Sequence, residues 1–113
     1  MTLPRIHRLG RREMGSLFKR NSVASNEAAI LRFAARPNQP FSRFAVVISR
    51  QVARKSTDRN RLRRRASGWL EEHLSGIQAG FDVALILREK ASGLPRRDFY
   101  SALGGLFKKT PLL

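Results

Sequence analysis

The stretch Arg59-Asn60-Arg61-Leu62-Arg63-Arg64-Arg65 is the part of this chain best equipped for chemistry, and that chemistry is the holding of phosphate. A guanidinium is planar, keeps its charge at any physiological pH and donates in pairs to the oxygens of one phosphate, where a lysine offers a point charge. Arg50, Arg54 and Lys55 lie just upstream, and Asp58 is the single acid between residues 50 and 65. Arginines without a glutamate one turn away repel one another on a bare helix face. A polyanion relieves that repulsion and releases its condensed counterions on binding. Asn60 adds a group that bonds a phosphate, a 2′-hydroxyl or a base edge. The bland alternative is a solvated charged face, and the missing acids argue against it.

No comparable group points to catalysis by the chain itself. The sequence has no cysteine, which removes a thiol nucleophile, a disulfide scaffold and a Cys-ligated zinc site. His7 and His73 cannot form a metal site alone, and His73 falls on an apolar stripe, where a structural histidine is expected. Glu71 and Glu72 are neighbours expected on an exposed helix position, without the setting of an acid–base pair.

These residues sit in 113 residues with 42% apolar content and seven Phe, which suits one folded domain over 1–113 and not a disordered tail. Lys and Arg number 23 against 8 Asp and Glu, a net charge of +15. The excess is concentrated: residues 1–65 hold 17 basic and 3 acidic side chains, residues 66–113 hold 6 and 5. Nucleic acid is the first partner such a charge suggests, and an anionic membrane surface the second. No apolar run approaches the roughly 20 residues of a membrane span. The basic N-terminus lacks the apolar stretch of a secretory signal. The expected setting is the cytoplasm, with no membrane and no obligatory protein partner.

The elements that must position these residues alternate. Met14, Leu17 and Phe18 recur at helical spacing within 11–20. Residues 28–34 read as a strand with Ala29, Leu31 and Phe33 on one side. Arg36-Pro37-Asn38-Gln39-Pro40 breaks the chain. Residues 41–49 form the clearest strand, with Phe44, Val46 and Ile48 on one face and Ala45 and Val47 on the other. A long helix follows, with Thr57 or Asp58 as its cap. Leu62, Ala66, Trp69, Leu70, His73, Leu74 and Ile77 trace its apolar stripe. Residues 81–88 alternate as another strand, and Phe99, Leu103, Leu106 and Phe107 mark a last helix weakened by Gly104-Gly105. The class is α+β, with one βαβ crossover.

Several of these segments also resemble a known family. Arg43-Phe44-Ala45-Val46-Val47-Ile48-Ser49-Arg50-Gln51 followed by Arg59-Asn60-Arg61-Leu62-Arg63-Arg64 is similar to the R-F-G strand, S-K-K turn and R-N-R helix of the bacterial ribonuclease P protein component. His7-Arg8-Leu9 through Arg20, the Ser22 to Asn26 turn and the strand from Phe81 match that family in order, so the resemblance covers nearly the whole chain. Ala45, Gln51, Ala53, Arg65 and Gly68 depart from it. At Arg65 the family more often has Leu or Ile, and at Gly68 a good helix former.

The resemblance implies a small two-layer α/β sandwich of the ribosomal-protein-like type, with a four-stranded sheet, three helices and a left-handed crossover. The general rule would make that crossover right-handed. It also implies the activity of a ribonuclease P subunit, in which a catalytic RNA removes the 5′ leader of precursor tRNA. Mg²⁺ serves the RNA and is bound by no protein ligands alone. Arg54, Lys55, Arg59, Asn60, Arg61, Arg63, Arg64 and Arg65 would face the catalytic RNA. Arg8, Arg11, Met14, Phe18, Lys19, Arg20, Asn26, Ser49 and Arg50 would bind the leader, with Phe18 open between stacking on bases and packing in the core. Competing readings are a ribosomal-type RNA binder of the same fold, a membrane-active cationic protein and an enzyme acting alone.

Overall fold

A computed structural model describes residues 3–113. The chain forms α1 (Arg11–Lys19), β1 (Ser22–Ser25), β2 (Ala29–Ala35), β3 (Arg43–Val47), α2 (Ser56–His73), β4 (Phe81–Leu87) and α3 (Arg96–Lys108). The sheet order is β1-β2-β4-β3. The β1/β2 and β2/β4 pairs are antiparallel; β3 and β4 are parallel, joined across α2. This is the expected α+β architecture of four strands and three helices.

Strand pleating sends alternate side chains to opposite faces, and here both faces carry apolar residues. Leu31, Phe33, Phe44, Val83 and Leu85 point to the side covered by α2 and α3, where they meet Leu62, Trp69, Leu70, Phe99 and Phe107 in the main core. Ala34, Ala45 and Ala84 point the other way and receive Leu9, Met14 and Leu17 from α1 and the segment before it. Small residues on this second face let the short helix lie close to the sheet.

Strand β1 lies where a turn was expected. Two apolar residues in Ser22-Val23-Ala24-Ser25 give too short an alternation to register as a strand. Asn26 makes the strand by folding the chain back: its Oδ1 accepts from the amides of Ala28 (3.0 Å) and Ala29 (3.1 Å), and its Nδ2 donates to the carbonyl of Ala102 at 2.9 Å. The ladder of β3 is shorter than the 41–49 expected, although Ile48 is still buried.

The N-cap of α2 is Lys55, not Thr57 or Asp58, which lie inside the first turn. No side chain caps this end. The turn is held from within the helix, where Arg59 Nη1 donates to the carbonyls of Ala53 (2.9 Å) and Arg54 (2.8 Å). Gly104-Gly105 does not interrupt α3. Each glycine costs about 1 kcal/mol against alanine, and the complete burial of Leu103, Leu106 and Phe107 outweighs that. Gly80 is required where it stands: its φ is +83°, and a Cβ there would meet the Gln39 carbonyl oxygen at 3.2 Å.

Trp69 anchors the main core. Its ring is 2% exposed, packs on Phe107 at 4.8 Å and stacks on His73 at 4.1 Å, while His73 Nδ1 donates to the Trp69 carbonyl at 2.8 Å. His73 is thus structural, as its place on the stripe suggested. Trp69→Ala is expected to lower stability by about 3–5 kcal/mol in urea unfolding; a near-neutral result would contradict this packing.

Candidate nucleic-acid interface

The α1 side of the sheet is only partly covered, and strand register shows where. One cross-strand row runs Ala34–Asp82–Arg43, the next Val23–Arg32–Ala84–Ala45, and the third Ser25–Ile30–Ile86–Val47. Helix α1 sits over the first two rows through Met14 and Leu17. The third row keeps Ile30, Ile86 and Val47 half-buried and outside the cluster that α1 forms with the sheet. We call this less covered, apolar strip of the sheet the trough.

Phe18 stands at the C-terminal end of α1 beside this trough. Its ring is 45% exposed, so it is not core. The Arg32 guanidinium lies over it at 5.9 Å and is steadied by a 3.2 Å hydrogen bond from Nη1 to Asn21 Oδ1. An aromatic face paired with a cation suits base stacking and phosphate contact together. Lys19 and Arg20 are exposed next to Phe18, and Arg11 is exposed at the start of α1. Ser49 and Arg50 are exposed in the turn after β3, which ends at the open row; Arg50 lines a depression with Gln51, Arg54 and Glu89. Asn26 is different: its amide is spent on the β1–β2 turn and on α3.

A second concave surface lies past the edge of β3. The residues before α1 run alongside that strand, with the Leu9 amide donating to the Phe44 carbonyl at 2.8 Å. Between this segment and α2 lies a cleft of about 570 Å³, lined by Arg8 and Met14 on one wall and Asn60, Arg63, Arg64 and Ser67 on the other. The structure therefore brings Arg8 and Met14 together with the R-N-R helix. Arg61 is exposed, 3.7 Å from Asp58, and Arg65 is half-buried with Nη1 donating to the Leu94 carbonyl at 3.4 Å. Arg54 and Lys55 are exposed in the turn leading into α2. Arg59 is occupied in bracing that turn.

Asp82 neutralises two half-buried arginines, Arg43 beside it in the first row and Arg36 just past the end of β2. Arg43 donates to both of its oxygens at 2.9 Å, and Arg36 Nε stands 2.8 Å from Oδ1 as an ion pair without a directed hydrogen bond. Those bonds hold the Arg43 guanidinium above its ordinary pKa despite the opposing effect of burial. Among the described residues, no three His, Asp or Glu side chains gather closely enough to hold a metal, and no helix is long and apolar enough to cross a membrane.

A basic helix of this sequence packed with two others on a four-stranded sheet is the arrangement that the resemblance implied. Residues 3–111 match the family model for Ribonuclease P. The chain belongs to the ribonuclease P protein family. The ribonuclease P protein component of Synechococcus elongatus is 36% identical over 92 residues, covering 78% of this chain and 75% of that protein. That of Synechocystis is 25% identical across the whole chain and 92% of its own length. Among solved structures, the Thermotoga maritima ribonuclease P protein superposes with a TM-score of 0.82 at 28% identity, covering 91% of this chain and 96% of that one. The Staphylococcus aureus ribonuclease P protein shares the fold, with a TM-score of 0.87 at 16% identity over 94% and 96% of the two chains.

Sequence reasoning missed Arg32 and the floor of Ile30, Ile86 and Val47 in this ribonuclease P family member. The signal was present as the second face of three alternating strands, but nothing in the alternation tells which face a helix leaves open. If Phe18 lies outside the core, Phe18→Leu is expected to change unfolding free energy by less than about 1 kcal/mol. A loss of several kcal/mol would put it back in the core.

Proposed function

We propose that the chain is the protein subunit of a bacterial ribonuclease P, which binds the catalytic RNA and the 5′ leader of precursor tRNA to promote endonucleolytic maturation of the tRNA 5′ end. The observation that carries this is the presence of two separate nucleic-acid surfaces on one small domain. Arg63, Arg64 and Asn60, with Arg61, Arg54 and Lys55 nearby, take the RNA subunit. The trough beside Phe18 and Arg32 takes the single-stranded leader, with Lys19, Arg20 and Arg50 on its phosphates. Arg8, set against Asn60 and Arg63, goes with the RNA-facing group.

In this reading the chain contributes no nucleophile and no general acid. Phosphodiester hydrolysis, with its Mg²⁺, belongs to the RNA subunit, and the setting is the cytoplasm. The protein's guanidiniums hold two polyanions side by side and screen their repulsion, which lowers the Mg²⁺ concentration that assembly demands. A base laid on the Phe18 face leaves the duplex geometry of mature tRNA outside the trough, so only a leader-bearing substrate gains the contact.

A ribosomal-type RNA binder of the same fold would use the α2 surface alone and show no preference for precursor over mature tRNA. The deciding experiment is cleavage of a precursor tRNA by a bacterial ribonuclease P RNA at low millimolar Mg²⁺, with and without the protein. Restored 5′ cleavage is expected; tight RNA binding with unchanged cleavage, repeated with RNA from the source organism, would overturn the reading. Arg63→Ala with Arg64→Ala is expected to weaken RNA-subunit binding and flatten the slope of log K against log salt by about 2. Phe18→Leu is expected to reduce the preference of the assembled enzyme for leader-bearing over mature tRNA.

A further inference from the structure

The flank of α2 away from the Arg8 cleft forms a groove with α3, of about 420 Å³, into which Arg61, Arg64, Arg65 and Arg96 project. Glu72 is the lone acid on its wall. Among the described residues, Arg64, Arg65 and Arg96 form no ion pair, and the Arg61 pairing with Asp58 is exposed and 3.7 Å long. Four guanidiniums converging on one concavity repel one another unless an anion enters it.

Two residues prepare the groove for such an anion. Tyr100, half-buried on α3, carries the Arg96 guanidinium over its ring at 5.1 Å and accepts a 3.3 Å hydrogen bond from Arg96 Nη2 at its hydroxyl. An arginine ordered in this way loses less side-chain freedom when it binds. Opposite it, Gly68 leaves the space the hydroxyl occupies: a Cβ there would lie 3.2 Å from Tyr100 Oη. A glycine inside α2 costs about 1 kcal/mol, and its place against Tyr100 gives that cost a reason. Gly68 and Arg65 are two of the positions where this chain departs from the family pattern, and both fall in this groove.

We propose that the α2–α3 groove is a second RNA-docking site, in which Arg61, Arg64, Arg65 and Arg96 hold the sugar–phosphate backbone of a further segment of the catalytic RNA. This rests on the α2 surface facing that RNA. Arg64 lines both the Arg8 cleft and this groove, so the positive surface passes over α2 without a break and joins the two. The leader trough lies on the opposite face of the sheet, which assigns the groove to the RNA subunit and not to the substrate. Arginine predominance favours phosphate oxygens, which a guanidinium engages in pairs.

The test is the salt dependence of binding between the full chain and a bacterial ribonuclease P RNA. Arg65→Ala with Arg96→Ala is expected to weaken binding at least several-fold and flatten the slope of log K against log salt by about 1–2, while the assembled enzyme's precursor-over-mature preference is unchanged. Arg97→Ala with Lys108→Ala removes the same charge from exposed α3 positions outside the groove and is expected to have a clearly smaller effect. Tyr100→Phe, which keeps the ring, checks that any loss does not come from unfolding and is expected to weaken binding mildly. An unchanged slope in the Arg65/Arg96 variant, or an equal effect in the Arg97/Lys108 variant, overturns the groove. A loss of precursor preference with intact RNA binding overturns its assignment to the RNA subunit. If the unaltered chain does not bind the RNA at all, the proposed function fails first and the groove with it.

Discussion

A net charge of +15 on 113 residues is the constraint from which the rest of this structure follows. With so few carboxylates available, the fold cannot pair most of its arginines with acids and keeps the majority of them exposed. Carboxylate pairing of half-buried arginines is concentrated at the end of the sheet where β2, β3 and β4 meet. There the single carboxylate of Asp82 holds Arg36 and Arg43, and Glu13 of α1 stands 3.5 Å from Arg43. Half-buried guanidiniums need partners, and Arg32, Arg59 and Arg65 find neutral ones in the Asn21 side chain and the Ala53, Arg54 and Leu94 carbonyls. Asp82 therefore lets the β2–β3 connection and α1 close over the sheet at that end, and most of the other arginines keep their charge without a carboxylate partner.

The two faces of the sheet divide the work. One is sealed by α2 and α3 around Trp69, Phe99 and Phe107, and supplies most of the apolar burial. The other is covered by nine residues of α1, which reach two of its three cross-strand rows. Stability comes from the first face, so the second can leave the Ile30–Ile86–Val47 row open at small cost. Exposed apolar surface of this kind is ordinarily a binding surface. Phe18 and Arg32 at its margin add an exposed aromatic ring and a cation to it.

Helix α2 links the sealed core to the charged exterior. Leu62, Ala66, Trp69 and Leu70 fix its inner face, which leaves two outer flanks of arginine. One forms a cleft with the segment alongside β3, the other a groove with α3, and Arg64 borders both. Because the core side chains lock the rotation of the helix, the guanidiniums are presented at fixed positions. A charged surface held this way loses little freedom when a ligand engages it.

The basic helix, the apolar stripe through Trp69, the alternation of β2, β3 and β4 and the family resemblance were all legible in the residues, because each rests on local periodicity or on residue type. Phe18 was not decided by its sequence. Helical spacing groups it with Met14 and Leu17, but the width of α1's contact with the sheet excludes it. Strand β1 was hidden because Asn26, and not an alternating pattern, creates it by reaching α3. Thr57 and Asp58 are good capping residues, yet the helix begins before them, with Arg59 holding the turn. Sequence alone determined that this chain carries a large excess of positive charge and which helix concentrates it. Tertiary structure alone decided which strand rows remain open, that Arg8 joins the arginines of α2, and that Gly68 meets Tyr100. Those outcomes depend on contacts between residues tens of positions apart, which no local pattern records.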